Sequence, residues 1–84
     1  MAKKTIVIED WMIEREKLTG NVLICYAYLW QETDGGKEPY VKGYQPIAER
    51  MGVTTPSVYN ALKALRDKGL VRYDEAKYIK VVQF

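Results

Sequence analysis

Nine consecutive residues, Val22-Leu23-Ile24-Cys25-Tyr26-Ala27-Tyr28-Leu29-Trp30, carry no charge and no helix breaker. Thr19 before them is a good N-cap, Leu18 is placed for a hydrophobic staple with Leu23, and Asp34-Gly35-Gly36-Lys37 breaks the run. A helix is therefore expected from about Gly20 to Glu32. Val22, Cys25, Tyr26 and Leu29 share one of its faces, while Ile24 and Tyr28 lie across from it. A helix that is apolar all round must be buried on more than one side. In a chain of 84 residues, the second cover is the N-terminal segment, another chain, or both.

Residues 1–16 offer the material for either cover. Thr5-Ile6-Val7-Ile8 reads as an edge strand or an extended arm. Asp10 is placed to cap a short helical turn through Trp11, Met12 and Ile13, with Glu14 and Glu16 near its start. The large side chains that a small core cannot easily use are Ile6, Ile8, Trp11, Ile13, Ile24, Tyr28 and Trp30. Left bare they would form an unusually large apolar patch. A homodimer through Trp11, Ile24, Tyr28 and Trp30 is therefore expected. The competing account folds the arm back over the apolar helix of its own chain.

Composition excludes most chemistry. With no histidine there is no Ser-His-Asp or Cys-His nucleophile and no imidazole ligand. The single cysteine, Cys25, allows no intrachain disulfide and no multi-cysteine metal site, and inside an apolar helix it reads as a small buried hydrophobe. The expectation is a non-enzyme with no cofactor and no metal. No apolar run reaches about 18 residues and the N-terminus lacks a signal-peptide core, so no membrane association is expected and a cytoplasmic location is. Charge is unevenly shared. Residues 1–41 hold five Lys/Arg against seven Asp/Glu, a balance of −2, and residues 42–84 hold eight against four, a balance of +4. An anionic partner should meet the C-terminal half.

That half is well punctuated. Pro39-Tyr40-Val41 reads as a short strand. Gln45 and Pro46 read as N-cap and first position of a helix with the stripe Ile47, Ala48 and Met51, ended by Gly52. Thr54 caps the next helix, in which Val58, Ala61, Leu62 and Leu65 recur at i, i+3, i+4 and i+7 until Gly69 stops it. Leu70-Val71-Arg72-Tyr73 and Tyr78-Ile79-Lys80-Val81-Val82 flank the turn Asp74-Glu75-Ala76 as a β-hairpin. Residues 44–69 are thus a helix-turn-helix and 70–82 a wing, in a single domain spanning 1–84. The fold class expected is mostly α with a small antiparallel sheet, a winged helix with a three-helix core, a two-stranded wing and a short first strand. Its core should hold Val22, Cys25, Tyr26, Leu29, Ile47, Val58, Leu62, Leu65, Val71 and Ile79.

Residues 47–54, IAERMGVT, and 58–71, VYNALKALRDKGLV, resemble the helix-turn-helix and first wing strand of bacterial winged-helix DNA-binding domains over about half the chain. Upstream, Trp11-Met12 and residues 18–27 resemble the N-terminal domain of phage and plasmid replication initiators and replisome organisers. The resemblance implies double-stranded DNA binding, in transcription regulation or replication initiation of a bacterium or phage. Two departures weaken it. Thr55 and Asn60 stand where such domains usually carry arginines, and Asp74-Glu75 makes the wing tip acidic.

The same face follows from periodicity alone. With Val58, Leu62 and Leu65 inward, the outward face carries Pro56, Tyr59, Asn60, Lys63 and Asp67. The hydroxyls of Thr54, Thr55 and Ser57 lie at the helix N-terminus, where N–H groups favour phosphate. Lys63 and Arg66 suit phosphate or guanine, Asn60 suits adenine, and Tyr59 suits sugar or a thymine methyl. Arg72, Lys77 and Lys80 on the wing, with Lys42, complete the cations placed for phosphate. The alternative left open is a non-catalytic protein-interaction module, with Lys63, Arg66 and Lys68 as an ordinary solvated helix face.

Overall fold

The structure, a computed structural model, describes residues 6–73 and 78–82. Four helices precede a two-stranded antiparallel sheet: α1 (Asp10–Glu14), α2 (Gly20–Glu32), α3 (Gln45–Met51), α4 (Thr55–Asp67), β1 (Val71–Tyr73) and β2 (Ile79–Val81). The chain is therefore mostly helical with a small sheet.

Helix α2 is the centre of the packing, touching α1, α3 and α4. Cys25, Tyr26, Ala27, Tyr28 and Leu29 are all buried, five successive residues that together encircle the helix. Such burial requires covers on opposite sides. One is α3 with α4, which bring Ile47, Ala48, Val58, Ala61, Leu62 and Leu65 into the core. The other is the N-terminal segment. Met12 is buried, and the Trp11 ring meets Trp30 edge-on at 4.9 Å and Tyr26 at 5.9 Å. Upstream of α1, the Val7 N–H donates to Gln31 Oε1 at 3.2 Å. Ile6 to Glu9 form no strand, so the extended-arm form of that expectation is the one observed. Thr5 lies outside the described residues.

Of the four residues expected to form a dimer face, the packing buries Tyr28 and half-buries the other three. Tyr28 is only 6% exposed, its ring edge-on to Tyr40 at 6.2 Å. Trp11 and Trp30 are half-buried against one another, and Ile24 is half-buried. Of the side chains that a core was expected to leave over, Ile8 and Ile13 remain exposed, joined by Val7. The physical reason is that α1 packs Trp11 on Tyr26 and Trp30 while Tyr40 packs on Tyr28.

Three further expectations shift. The residue before α1 is Glu9, with Asp10 already inside the helix. The residue before α3 is Tyr44, so Gln45 and Pro46 occupy the first two helical positions rather than cap and first position. Proline fits either, because the first N–H groups of a helix have no intrahelical acceptor. Val22 is half-buried rather than core, since it lies one turn from the start of α2, beside a shallow groove with Asn21, Ser57, Asn60 and Ala61. The other nine expected core residues are buried.

Between α3 and α4, Gly52 adopts φ 70°, ψ 33°, the left-handed conformation that ends a helix while the Val53 N–H returns to the Ala48 carbonyl at 3.0 Å. Gly69 repeats the device after α4 with φ 78°, and the Leu70 N–H reaches the Leu65 carbonyl at 3.0 Å. In the hairpin, Val71 pairs with Val81, Arg72 with Lys80 and Tyr73 with Ile79. The expected strand Pro39-Tyr40-Val41 contracts to a single bridge, Tyr40 with Ile79, closed by hydrogen bonds of 2.8 and 2.9 Å. The Glu38 N–H, next on that side of the strand, goes instead to the Thr33 carbonyl at 3.0 Å, and beyond Lys42 the chain turns at Gly43, φ 83°. The wing turn, with Asp74, Glu75 and Lys77, lies outside the described residues.

Candidate nucleic-acid interface

Helix α4 divides cleanly. Val58, Ala61, Leu62 and Leu65 are buried, while Pro56, Tyr59, Asn60, Lys63, Arg66 and Asp67 are exposed. The division is what the 3.6-residue period requires, and it aligns Tyr59, Lys63 and Arg66 at i, i+4 and i+7 along one ridge. Asn60 lies one residue round from Tyr59, at i−3 from Lys63.

At the helix start, Thr54 stands at the N-cap position, but its side chain makes no capping bond. Its Oγ1 lies 3.2 Å from Ser57 Oγ. Thr54 is exposed, and Thr55 and Ser57 are half-buried. The Thr54 and Ser57 hydroxyls thus lie together beside the first turn, where backbone N–H groups have no intrahelical acceptor, while Thr55 lines an open hollow with Tyr44, Gln45, Pro56 and Tyr59.

The hairpin adds two cations. Arg72 and Lys80 are exposed and sit directly opposite one another in the ladder. Like charges at opposed positions repel, and an anion between them relieves the repulsion. Lys77 lies outside the described residues. Lys42, grouped with these cations from sequence, is instead drawn to Glu32, with Nζ 3.4 Å from Oε1.

Three tyrosines from separate elements meet on this face. The Tyr59 ring lies 6.5 Å from Tyr44, tilted at 45°, and 6.5 Å from Tyr73, at 67°. Beyond Tyr73 the Arg66 guanidinium sits 5.3 Å from the ring centre, a cation–π contact, with Asp67 Oδ1 at 3.8 Å from its Nη2. Tyr59 is 47% exposed, and Tyr44 and Tyr73 are half-buried. Tyr44 also lines an open hollow with Gln45, Thr55, Pro56 and Tyr59, and Tyr73 lines another with Arg72, Tyr78 and Lys80. Sequence reasoning picked out Tyr59 alone. Positions 44, 59 and 73 share no periodic pattern, so only the tertiary fold brings their rings together.

Elsewhere, ionisable groups are buried in the core. Burial pushes the Cys25 thiol up to about 12 and raises the Tyr28 and Tyr40 phenols. Among the described residues, no group of three or more His, Cys, Asp or Glu is placed to hold a metal ion. Among them too, no helix is long and apolar enough to cross a membrane. Comparison of the chain with protein-family models, with curated proteins and with solved structures found no match.

Proposed function

We propose that the chain is a winged helix that binds double-stranded DNA, with α4 as the recognition helix in the major groove and β1–β2 as the wing. The observation that carries this reading is the two-sidedness of α4. One face is buried against α2, and the other presents Tyr59, Asn60, Lys63 and Arg66 to solvent. A recognition helix needs that arrangement, since base edges are read by polar side chains projecting from a helix held rigidly on its other side. The contact of Tyr59 and Arg66 with Tyr73 ties this face to the hairpin carrying Arg72 and Lys80. The role is non-catalytic, in transcription regulation or replication initiation in the cytoplasm of a bacterium or a phage host.

Titration of a labelled random-sequence duplex, followed by fluorescence anisotropy at low and rising salt, tests the reading. Each phosphate engaged contributes about −0.9 to the slope of log K against log salt. Lys63, Arg66, Arg72 and Lys80 should together give a slope between about −3 and −4. Lys63→Ala should weaken binding and flatten the slope by roughly one unit. Undiminished affinity after replacing Lys63 and Asn60 together would move the interface off α4 and favour a protein-docking module.

A further inference from the structure

On the duplex reading, phosphate accounts for the four cations of the α4–wing face and sugar or a thymine methyl for Tyr59, but Tyr44 and Tyr73 have no part in it. Seven tyrosines in 84 residues is a high density, and three of them form the file Tyr44–Tyr59–Tyr73. Its neighbours meet in tilted and edge contacts, which cover less ring face than a parallel stack would, and the Arg66 guanidinium lies over one side of the Tyr73 ring. At the centre of the file, Tyr59 is nearly half exposed, and hollows open at both ends. The hollow beside Tyr44 has a Gln45 amide and a Thr55 hydroxyl on its rim, groups that can both donate and accept hydrogen bonds. The hollow beside Tyr73 has Arg72 and Lys80 on its rim. Aromatic faces interleaved with cations along a groove are what unpaired bases require. The rings receive the bases and the cations follow the backbone. A closed duplex offers sugars and thymine methyls to a single ring such as Tyr59, but keeps its base faces stacked on one another and out of reach.

We propose that the file Tyr44–Tyr59–Tyr73 is a stacking platform for unpaired bases, so that this face binds DNA containing a single-stranded stretch in preference to a fully closed duplex. Tyr59 is the central stacking residue. Arg66, held against the Tyr73 ring, supplies a cation beside the stacked bases. The inference rests on the reading that α4 and the hairpin face DNA, and it specifies the state of the DNA they take.

The test compares a labelled closed duplex with the same duplex carrying an internal bubble of unpaired thymines. Binding is measured for the full chain and for Tyr59→Ala and Tyr59→Phe, each checked by circular dichroism for an unchanged fold. The bubble should bind roughly tenfold tighter than the closed duplex. Tyr59→Ala should bring that ratio close to one, and Tyr59→Phe, which keeps the ring, should preserve it. Equal affinity for the two DNAs overturns the inference and leaves duplex binding standing. A preference that survives Tyr59→Ala overturns the assignment to the tyrosine file. Failure to bind either DNA overturns both the inference and the duplex reading beneath it.

Discussion

Cys25 and Tyr26 are adjacent on α2 and fully buried, so two ionisable groups occupy the centre of the core. Burial holds the thiol protonated, raising it from 9.0 to about 12. It raises the Tyr26 phenol from 10.0 to about 12 as well, with the Glu16 carboxylate adding to the effect and Arg15 opposing it. In the unfolded chain both groups ionise near their ordinary values. The folded state therefore binds more protons than the unfolded state as pH rises through that interval. Their contribution to stability is complete below about pH 9 and falls between about pH 9 and 12. Thermal melts at pH 8, 10 and 11 should show a falling midpoint. An unchanged midpoint from pH 8 to 11 would contradict the burial of these groups. Native Cys25 should also resist alkylation near neutral pH and react only on unfolding, because the thiolate is the nucleophile.

At the scale of elements, helices α2 and α4 could be read from the sequence because local punctuation and period agree. Thr19 and Thr54 precede them, and for α4 the stripe Val58, Ala61, Leu62 and Leu65 fixes the buried face. The α4 face of the candidate interface was legible for the same reason. Shifts of one residue at α1 and α3 were not, since their N-cap positions are held by Glu9 and Tyr44, residue types that do not signal a helix start in the sequence. The cover of α2 was the larger ambiguity. Apolarity demands a partner surface without saying which chain provides it, and the Trp11–Trp30 contact shows the chain's own N-terminal segment providing part of it. The tyrosine file was illegible because its members come from the loop before α3, from α4 and from β1. A prediction separates the two covers. Tyr28→Glu places a charge where the side chain is 6% exposed, so it should unfold the chain rather than split a dimer. Circular dichroism together with sedimentation velocity distinguishes these outcomes. A folded variant of halved mass would restore the intersubunit account.

For the molecule as a whole, the proposed function rests on how the two halves differ. The acidic N-terminal half supplies α1 and α2, whose apolar surfaces cover one another. The basic C-terminal half supplies every described cation of the candidate interface: Lys63, Arg66, Arg72 and Lys80. Of the exposed aliphatic residues, Val7, Ile8 and Ile13 belong to the N-terminal arm and α1, and Val41 lies in the loop before α3. Two surfaces of opposite character thus compete as interaction sites. Only one carries cations, ring faces and a rigid helix together, which is what DNA demands of a protein. Mapping amide chemical-shift changes during titration with duplex DNA tests this most directly. Shifts concentrated over 54–67, 71–73 and 78–81, fading as salt is raised, are the result expected. Shifts confined to residues 6–13, or none at low salt, would contradict the assignment of this face to DNA.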